Sequence, residues 1–237
     1  MSKLYKAKST MRFLAMKCKP LVKVVRMMKC KWNNADNVGK ILRSDGAEVA
    51  ARIQRILTDA GIETSLACGS LLGVVREGHF MAHDDDLDFM VVVTPGFDWD
   101  AVRIALEPEG FTLRYHYMFG NTITEQTYAT DSGFRFDIFG FVADEETSTM
   151  RLFYYAQRRD MIYENPGDSS VWYRDLPLCR NMVPVEVEGH TLVIAGNAED
   201  ILAVHYGPDW RVPDTGWSPK EALVFMDGVI GKRVVEA

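Results

Sequence analysis

Several scarcities in the sequence narrow its class before any motif is read. Four cysteines in 237 residues, Cys18, Cys30, Cys68 and Cys179, lie far apart and form no Cys-x-x-Cys pair. That spacing indicates neither a disulfide framework nor a thiolate zinc site, and it fits free thiols in a reducing compartment. No run approaches the ~18–20 apolar residues of a spanning helix. The most apolar N-terminal stretch, Leu21-Val22-Lys23-Val24-Val25-Arg26, is interrupted by bases, unlike a signal peptide. Internal repeats and low-complexity tracts are lacking. Acids are missing from Met1–Lys31, which holds ten of the 27 Lys and Arg, whereas all 33 Asp and Glu follow it. The chain is thus a basic arm joined to an acidic body. An acidic body argues against nucleic acid as a substrate, because phosphate backbones need basic surface.

The composition divides the chain into an N-terminal arm, residues 1–43, and a body, residues 44–237. From Arg12 to Lys31 the arm mixes Met, Leu, Val and Phe with lysine, as an interfacial amphipathic helix does, with Pro20 breaking it in two. Such an arm seeks anionic lipid or another anionic surface. A disordered or core-packed extension accounts for it equally well.

In the body, Val49, Ile53, Ile56, Leu57 and Ala60 recur at helical spacing, which predicts a helix over Asp45–Ala60 ended by Gly61. A short strand, Glu63–Ala67, should run through Cys68-Gly69-Ser70 into a helix over Leu71–Arg76. Strands follow at Asp86–Val93, Phe111–Tyr117, Thr122–Ala129, Phe134–Val142 and Leu152–Ala156, with a helix at Ala101–Leu106. Val185–Ile194 reads as a hairpin turning at Glu188-Gly189. A last helix, Glu199–Tyr206, has Asn197 as its candidate cap. Trp210 and Trp217, among prolines, should pack a C-terminal flap. Helices and strands alternate early and hairpins come later, so the fold class is mixed α/β or α+β.

His83-Asp84-Asp85-Asp86-Leu87-Asp88-Phe89-Met90-Val91-Val92-Val93 carries the most chemistry. Strand alternation puts Asp84, Asp86 and Asp88 on one face, where carboxylates repel unless a cation neutralises them. The acids run straight into an apolar strand, so Asp86 and Asp88 should be anchored at the core. Oxygen ligands suit Mg²⁺, with Mn²⁺ as a substitute, the remaining positions going to water and substrate phosphate. Asp137 lies in Phe134-Arg135-Phe136-Asp137-Ile138-Phe139 and is either a third ligand or the partner of Arg135 two residues away. Gly69-Ser70 between a strand and a helix can offer backbone amides and a hydroxyl to phosphate, or can simply cap the helix. Arg76 can reach the same phosphate or pair with a nearby acid.

Taken together, Gly69-Ser70-Leu71-Leu72-Gly73-Val74-Val75-Arg76 and Asp84-Asp85-Asp86-Leu87-Asp88 resemble the signature of the LicD family of phosphocholine transferases, which the fukutin-related phosphoribitol transferases share. Phe136-Asp137-Ile138-Phe139 is similar to that family's third-acid strand, and Tyr206-Gly207-Pro208-Asp209-Trp210 to its C-terminal Tyr-Gly element. The resemblance implies a nucleotidyltransferase-type mixed sheet flanked by helices, with a further C-terminal hairpin and helices. It implies a CDP-alcohol donor such as CDP-choline or CDP-ribitol, and a glycan or lipid-linked glycan acceptor such as lipopolysaccharide or teichoic acid. Asp86, Asp88 and Asp137 would be the metal ligands and Asp84 a further active-site acid. Gly69, Ser70 and Arg76 would hold donor phosphate. His83 stands where the family usually has an aromatic residue. A cytoplasmic enzyme, peripheral at the inner membrane face through residues 1–31, is the expected setting.

The same acids serve three rival activities. A true nucleotidyltransferase attacks the α-phosphorus and moves the nucleotide itself. In an Asp-x-Asp glycosyltransferase the apolar strand usually precedes the acids, whereas here Phe89–Val93 follows them. A protein that only binds membrane or RNA has no use for so repulsive a cluster.

Overall fold

The computed structural model describes residues 45–81, 84, 86–214, 216 and 223–236. The basic arm, His83, Asp85 and Trp217 lie outside them. Helix α1 runs over 45–59 and buries Ala47, Ala50, Ile53 and Leu57; of the predicted stripe, Val49 and Ile56 are half-buried and Ala60 is exposed. A two-residue strand β1 (Ser65–Leu66) leads into α2 (Cys68–Glu77). Then come β2 (Leu87–Val93), α3 (Trp99–Leu106), β3 (Thr112–Phe119), β4 (Thr122–Ala129), β5 (Arg135–Asp144) and β6 (Thr149–Ala156). The described chain continues through β7 (Asp168–Pro177), the hairpin β8 (Met182–Val187) and β9 (His190–Ala195), α4 (Ala198–Tyr206) and β10 (Val224–Val235). Among the described residues no helix is long and apolar enough to cross a membrane.

Eight strands form one sheet in the order β1-β2-β5-β4-β3-β10-β7-β6. The first half of β5 pairs with β4 (Arg135↔Ala129 through Phe139↔Glu125), and its far end pairs on the same side with β6 (Val142↔Arg151 to Asp144↔Thr149). The strands β5-β4-β3-β10-β7-β6 therefore close into a six-membered antiparallel ring. On its other side β5 runs parallel to β2, from Leu87↔Phe136 to Val93↔Val142. The mixed α/β class holds, and the antiparallel ring is its dominant part.

The two faces of this sheet have different fates. Leu87, Phe89 and Val91 of β2 share a face with Phe136 and Ile138 of β5 and Tyr128 of β4, all shut away from solvent. Phe136 makes edge contacts with Phe89 and Phe111 and stacks on Tyr128. Helix α3 covers this face with Trp99, Val102 and Leu106. Alternation then directs Asp88 and Asp137 to the opposite face, towards α2 and α4.

Some elements differ from expectation for identifiable reasons. Helix α2 begins at Cys68, not Leu71, so Gly69 and Ser70 lie inside its first turn. The Asn197 side chain donates to the carbonyl of Leu178 and makes no capping bond to α4. Trp210 belongs to the buried core, with the Arg211 guanidinium over its ring. Strands β7 and β10 escape the pattern search: β7 opens on the buried polar run Asp168-Ser169-Ser170, and β10 carries Gly228 and Gly231.

Gly140 allows the closest packing in the sheet's apolar face, since a Cβ there would sit 2.6 Å from a Trp99 ring carbon and 2.9 Å from Val93 Cγ2. Gly140→Ala is expected to lower unfolding stability by about 1–3 kcal/mol through overpacking. Urea titration monitored by tryptophan fluorescence measures it, and an unchanged midpoint would refute the packing account.

Candidate active site

The sheet register assembles the acids. Asp88 on β2 is the direct parallel neighbour of Asp137 on β5, and Asp137 stands opposite Thr127 on β4. One row across the sheet is therefore Asp88, Asp137, Thr127 and Tyr115, the last paired with Thr127 from β3. The Thr127 hydroxyl donates to Asp137 Oδ1 and fixes that carboxyl. Asp86, at the entry to β2, completes a trio in which one carboxylate oxygen each from Asp86, Asp88 and Asp137 lies within 4.8 Å of the others.

Helix α2 holds the middle of the trio in place. The Gly69 amide donates to Asp88 Oδ2 at 3.2 Å, and Ser70 Oγ accepts from the Asp88 amide at 3.0 Å. Ser70 is buried. Gly69 faces the acids so closely that a Cβ would lie 3.6 Å from Asp84 Oδ1 and 3.7 Å from Asp88 Oδ2. The Gly-Ser pair thus positions Asp88 through its own backbone and hydroxyl, a use that its sequence placement did not reveal. Arg76, the third expected phosphate ligand, pairs instead with Glu77 at 2.6 Å and donates to Met81 Sδ.

Arg135 bridges to Asp86 Oδ2 at 3.1 Å, and its guanidinium is also held by the charge of Asp137, so both acids share it. Asp137 is 8% exposed and is the parallel neighbour of Asp88.

Electrostatics confirm how crowded the cluster is. Burial, then the charges of Asp86, Asp137 and Asp84, push the Asp88 carboxyl well above its usual range, with the Gly69 amide opposing. Glu125, one row along from Thr127 on the same face of β4, is pushed up by burial and then by Asp137. Sequence reading missed this acid, although it sits two residues before Thr127 in a strand facing Asp137. Cys68 was read as bland, yet its thiol is raised first by burial and then by Asp88, Asp86 and Glu125. It borders the acids at the start of α2.

A further wall comes from α4. Burial, then Cys68 and Asp88, raise the Tyr206 hydroxyl, which places this phenol beside the cluster. The Tyr206 ring stacks on His205, whose Nε2 lies 3.0 Å from the Tyr154 hydroxyl. Arg174 binds the His205 carbonyl oxygen and locks the helix end to β7.

The donor set fits a hard divalent ion. Adjacent ligand oxygens around Mg²⁺ are about 3 Å apart, so three carboxylates within 4.8 Å of one another would have to draw together to share one ion.

The acidic trio is thus held by a parallel strand pair at the start of the Gly-Ser helix. Residues 61–166 match the family model described as LicD/FKTN/FKRP, nucleotidyltransferase domain. No curated protein matches the sequence. Among solved structures, that of ANT(2")-Ia in complex with adenylyl-2"-tobramycin is similar with a TM-score of 0.43 and 13% identity, over 75% of this chain and 84% of that one.

Two outcomes follow for solution behaviour. Asp88 has a raised folded pKa, so its favourable contribution belongs to low pH and is lost as pH rises through that value. Asp88→Asn should therefore raise the melting temperature of metal-free protein at pH 7.5 by a few degrees. Millimolar Mg²⁺ should raise the melting temperature of the wild type and not that of Asp88→Asn. A variant still stabilised by Mg²⁺ would contradict the ligand assignment. His205 is lowered to about 3 by burial and then by Arg174. The unfolded chain then takes up a proton near pH 6.5 that the native state refuses, so stability declines as pH falls from there towards 3, by at most about 1.4 kcal/mol per pH unit. Denaturant titrations of wild type and His205→Gln between pH 4 and 7.5 check this, the variant's slope being the shallower.

Proposed function

We propose that the protein transfers a phospho-alcohol, phosphocholine or phosphoribitol in type, from a CDP-activated donor to a glycan hydroxyl and releases CMP. The observation that carries this reading is the register-locked pair Asp88 and Asp137, joined by Asp86 within the span that matches the LicD/FKTN/FKRP model. In the reaction the acceptor oxygen attacks the phosphorus distal to cytidine, in line with the bond to the bridging oxygen. That bond breaks, CMP leaves with the bridging oxygen, and the hydroxyl proton passes to Asp84 or Asp137. Mg²⁺ bound by Asp86, Asp88 and Asp137 would supply positive charge against the donor diphosphate. Gly69 and Ser70 hold Asp88 through a backbone amide and a hydroxyl. The basic residues of Met1–Lys31 favour approach to an anionic membrane bearing a lipid-linked acceptor.

Incubation with a panel of CDP-alcohols, with Mg²⁺ or with EDTA, tests the reading by CMP release. One donor should release CMP with Mg²⁺ only, and Asp137→Ala should lower kcat by about 10³-fold or more, as loss of a charge-stabilising group does. Release of pyrophosphate from CTP, with no CMP from any CDP-alcohol, would overturn the proposal in favour of nucleotide transfer.

A further inference from the structure

Arg135 has features that the proposed reaction has not yet used. It opens β5 two residues before Asp137 and so shares the acidic face of that strand. Its guanidinium nitrogen lies 3.1 Å from Asp86 Oδ2, and its side chain is 43% exposed against 28% for Asp86. Burial of the guanidinium is outweighed by Asp137, Tyr115 and Asp86, and its charge in turn eases that of Glu125. The guanidinium therefore stands at the rim of the cluster within reach of several acids, held by a half-exposed ion pair that is weak in water.

The partner of that ion pair is also a member of the trio. A divalent ion drawing on Asp86 takes up part of that carboxylate's charge and repels the guanidinium, which weakens the ion pair between them. The displaced Arg135 remains tethered at the rim, where its planar fork matches two oxygens of a phosphate. A diphosphate approaching Asp84, Asp86, Asp88, Asp137 and Glu125 meets strong repulsion, and one divalent ion cannot offset all of it. Arg76 is engaged with Glu77.

We propose that Arg135 is the residue that positions the donor diphosphate, exchanging Asp86 for phosphate when the metal binds. This deepens the reading above and rests on it for the nature of the donor. In the absence of metal the same residue serves as a resident cation for Asp86.

The test uses full-length wild type, Arg135→Gln and Arg135→Lys, with Mn²⁺ alone and then CDP in excess Mn²⁺ as probes, by calorimetry. Arg135→Gln should bind Mn²⁺ alone about two- to fivefold more tightly, because the competing cation is gone. It should bind CDP at least ~tenfold more weakly, having lost the bidentate phosphate contact. Arg135→Lys should keep near-normal Mn²⁺ affinity with CDP affinity in between, since lysine retains charge without the fork. If Arg135→Gln fails to fold, the lysine variant decides: normal CDP affinity in it overturns the proposal. Weakened Mn²⁺ binding in Arg135→Gln would show instead that Arg135 props up Asp86, and CDP affinity within twofold of wild type would equally sink the assignment. Wild type that binds CDP with Mn²⁺ but transfers no phospho-alcohol would defeat the transfer reading and leave Arg135 standing. Failure to bind either probe would defeat both.

Discussion

Everything at this site depends on forcing carboxylates together that would separate if free to do so. The force comes from the ladder between β2 and β5, whose parallel register makes Asp88 and Asp137 neighbours. The price of that arrangement is met on the opposite face, where Phe89, Phe136, Ile138 and Tyr128 pack beneath α3 and each fully buried side chain contributes about 1.5–3 kcal/mol. Two-residue alternation couples the two faces: shifting β2 by one residue would expose its apolar side chains and bury its acids. Apolar packing thus fixes the carboxylate register, and the acids carry charge strain that a bound cation would relieve.

The lining of the cluster follows the same logic. Gly69 lacks a side chain where Asp84 and Asp88 crowd, and its amide supplies one of the few favourable contacts of the Asp88 carboxyl. Thr127 orients Asp137 from the next strand. Tyr206 reaches the cluster because α4 is secured at its end by Arg174 and by the bond between His205 and Tyr154. Residues from five elements far apart in sequence therefore shape one small volume.

Much of this was legible in the sequence, and the reasons for the rest are physical. Asp86, Asp88 and Asp137 announced themselves because acids inside apolar strands are costly and hence informative. The order of elements from α1 to β6 followed from periodicity and turn residues. Glu125 stayed hidden because it sits in the polar strand Thr-Ile-Thr-Glu-Gln-Thr, where one acid attracts no notice; only pairing with β5 reveals what it faces. Cys68 was hidden for a similar reason, since nothing local tells which distant groups approach it. Strands β7 and β10 eluded the pattern because ring strands need neither strict alternation nor freedom from glycine. Gly231 leaves room for the Tyr155 ring, which a Cβ would strike.

The place of β10 in the ring bears on how the protein is made. This strand, at 224–235, lies between β3 and β7, elements that precede it by some fifty to more than a hundred residues. During synthesis, β2, β5 and β4 can emerge and pair early, bringing the acids together while the ring is still open. Closure must wait for the late strand, and until then β3 and β7 present unpaired edges that invite association with other chains. The nascent protein therefore passes through a stage in which its chemistry is nearly assembled and its edges are unprotected, and the interval before β10 leaves the ribosome is when a chaperone has most to offer it.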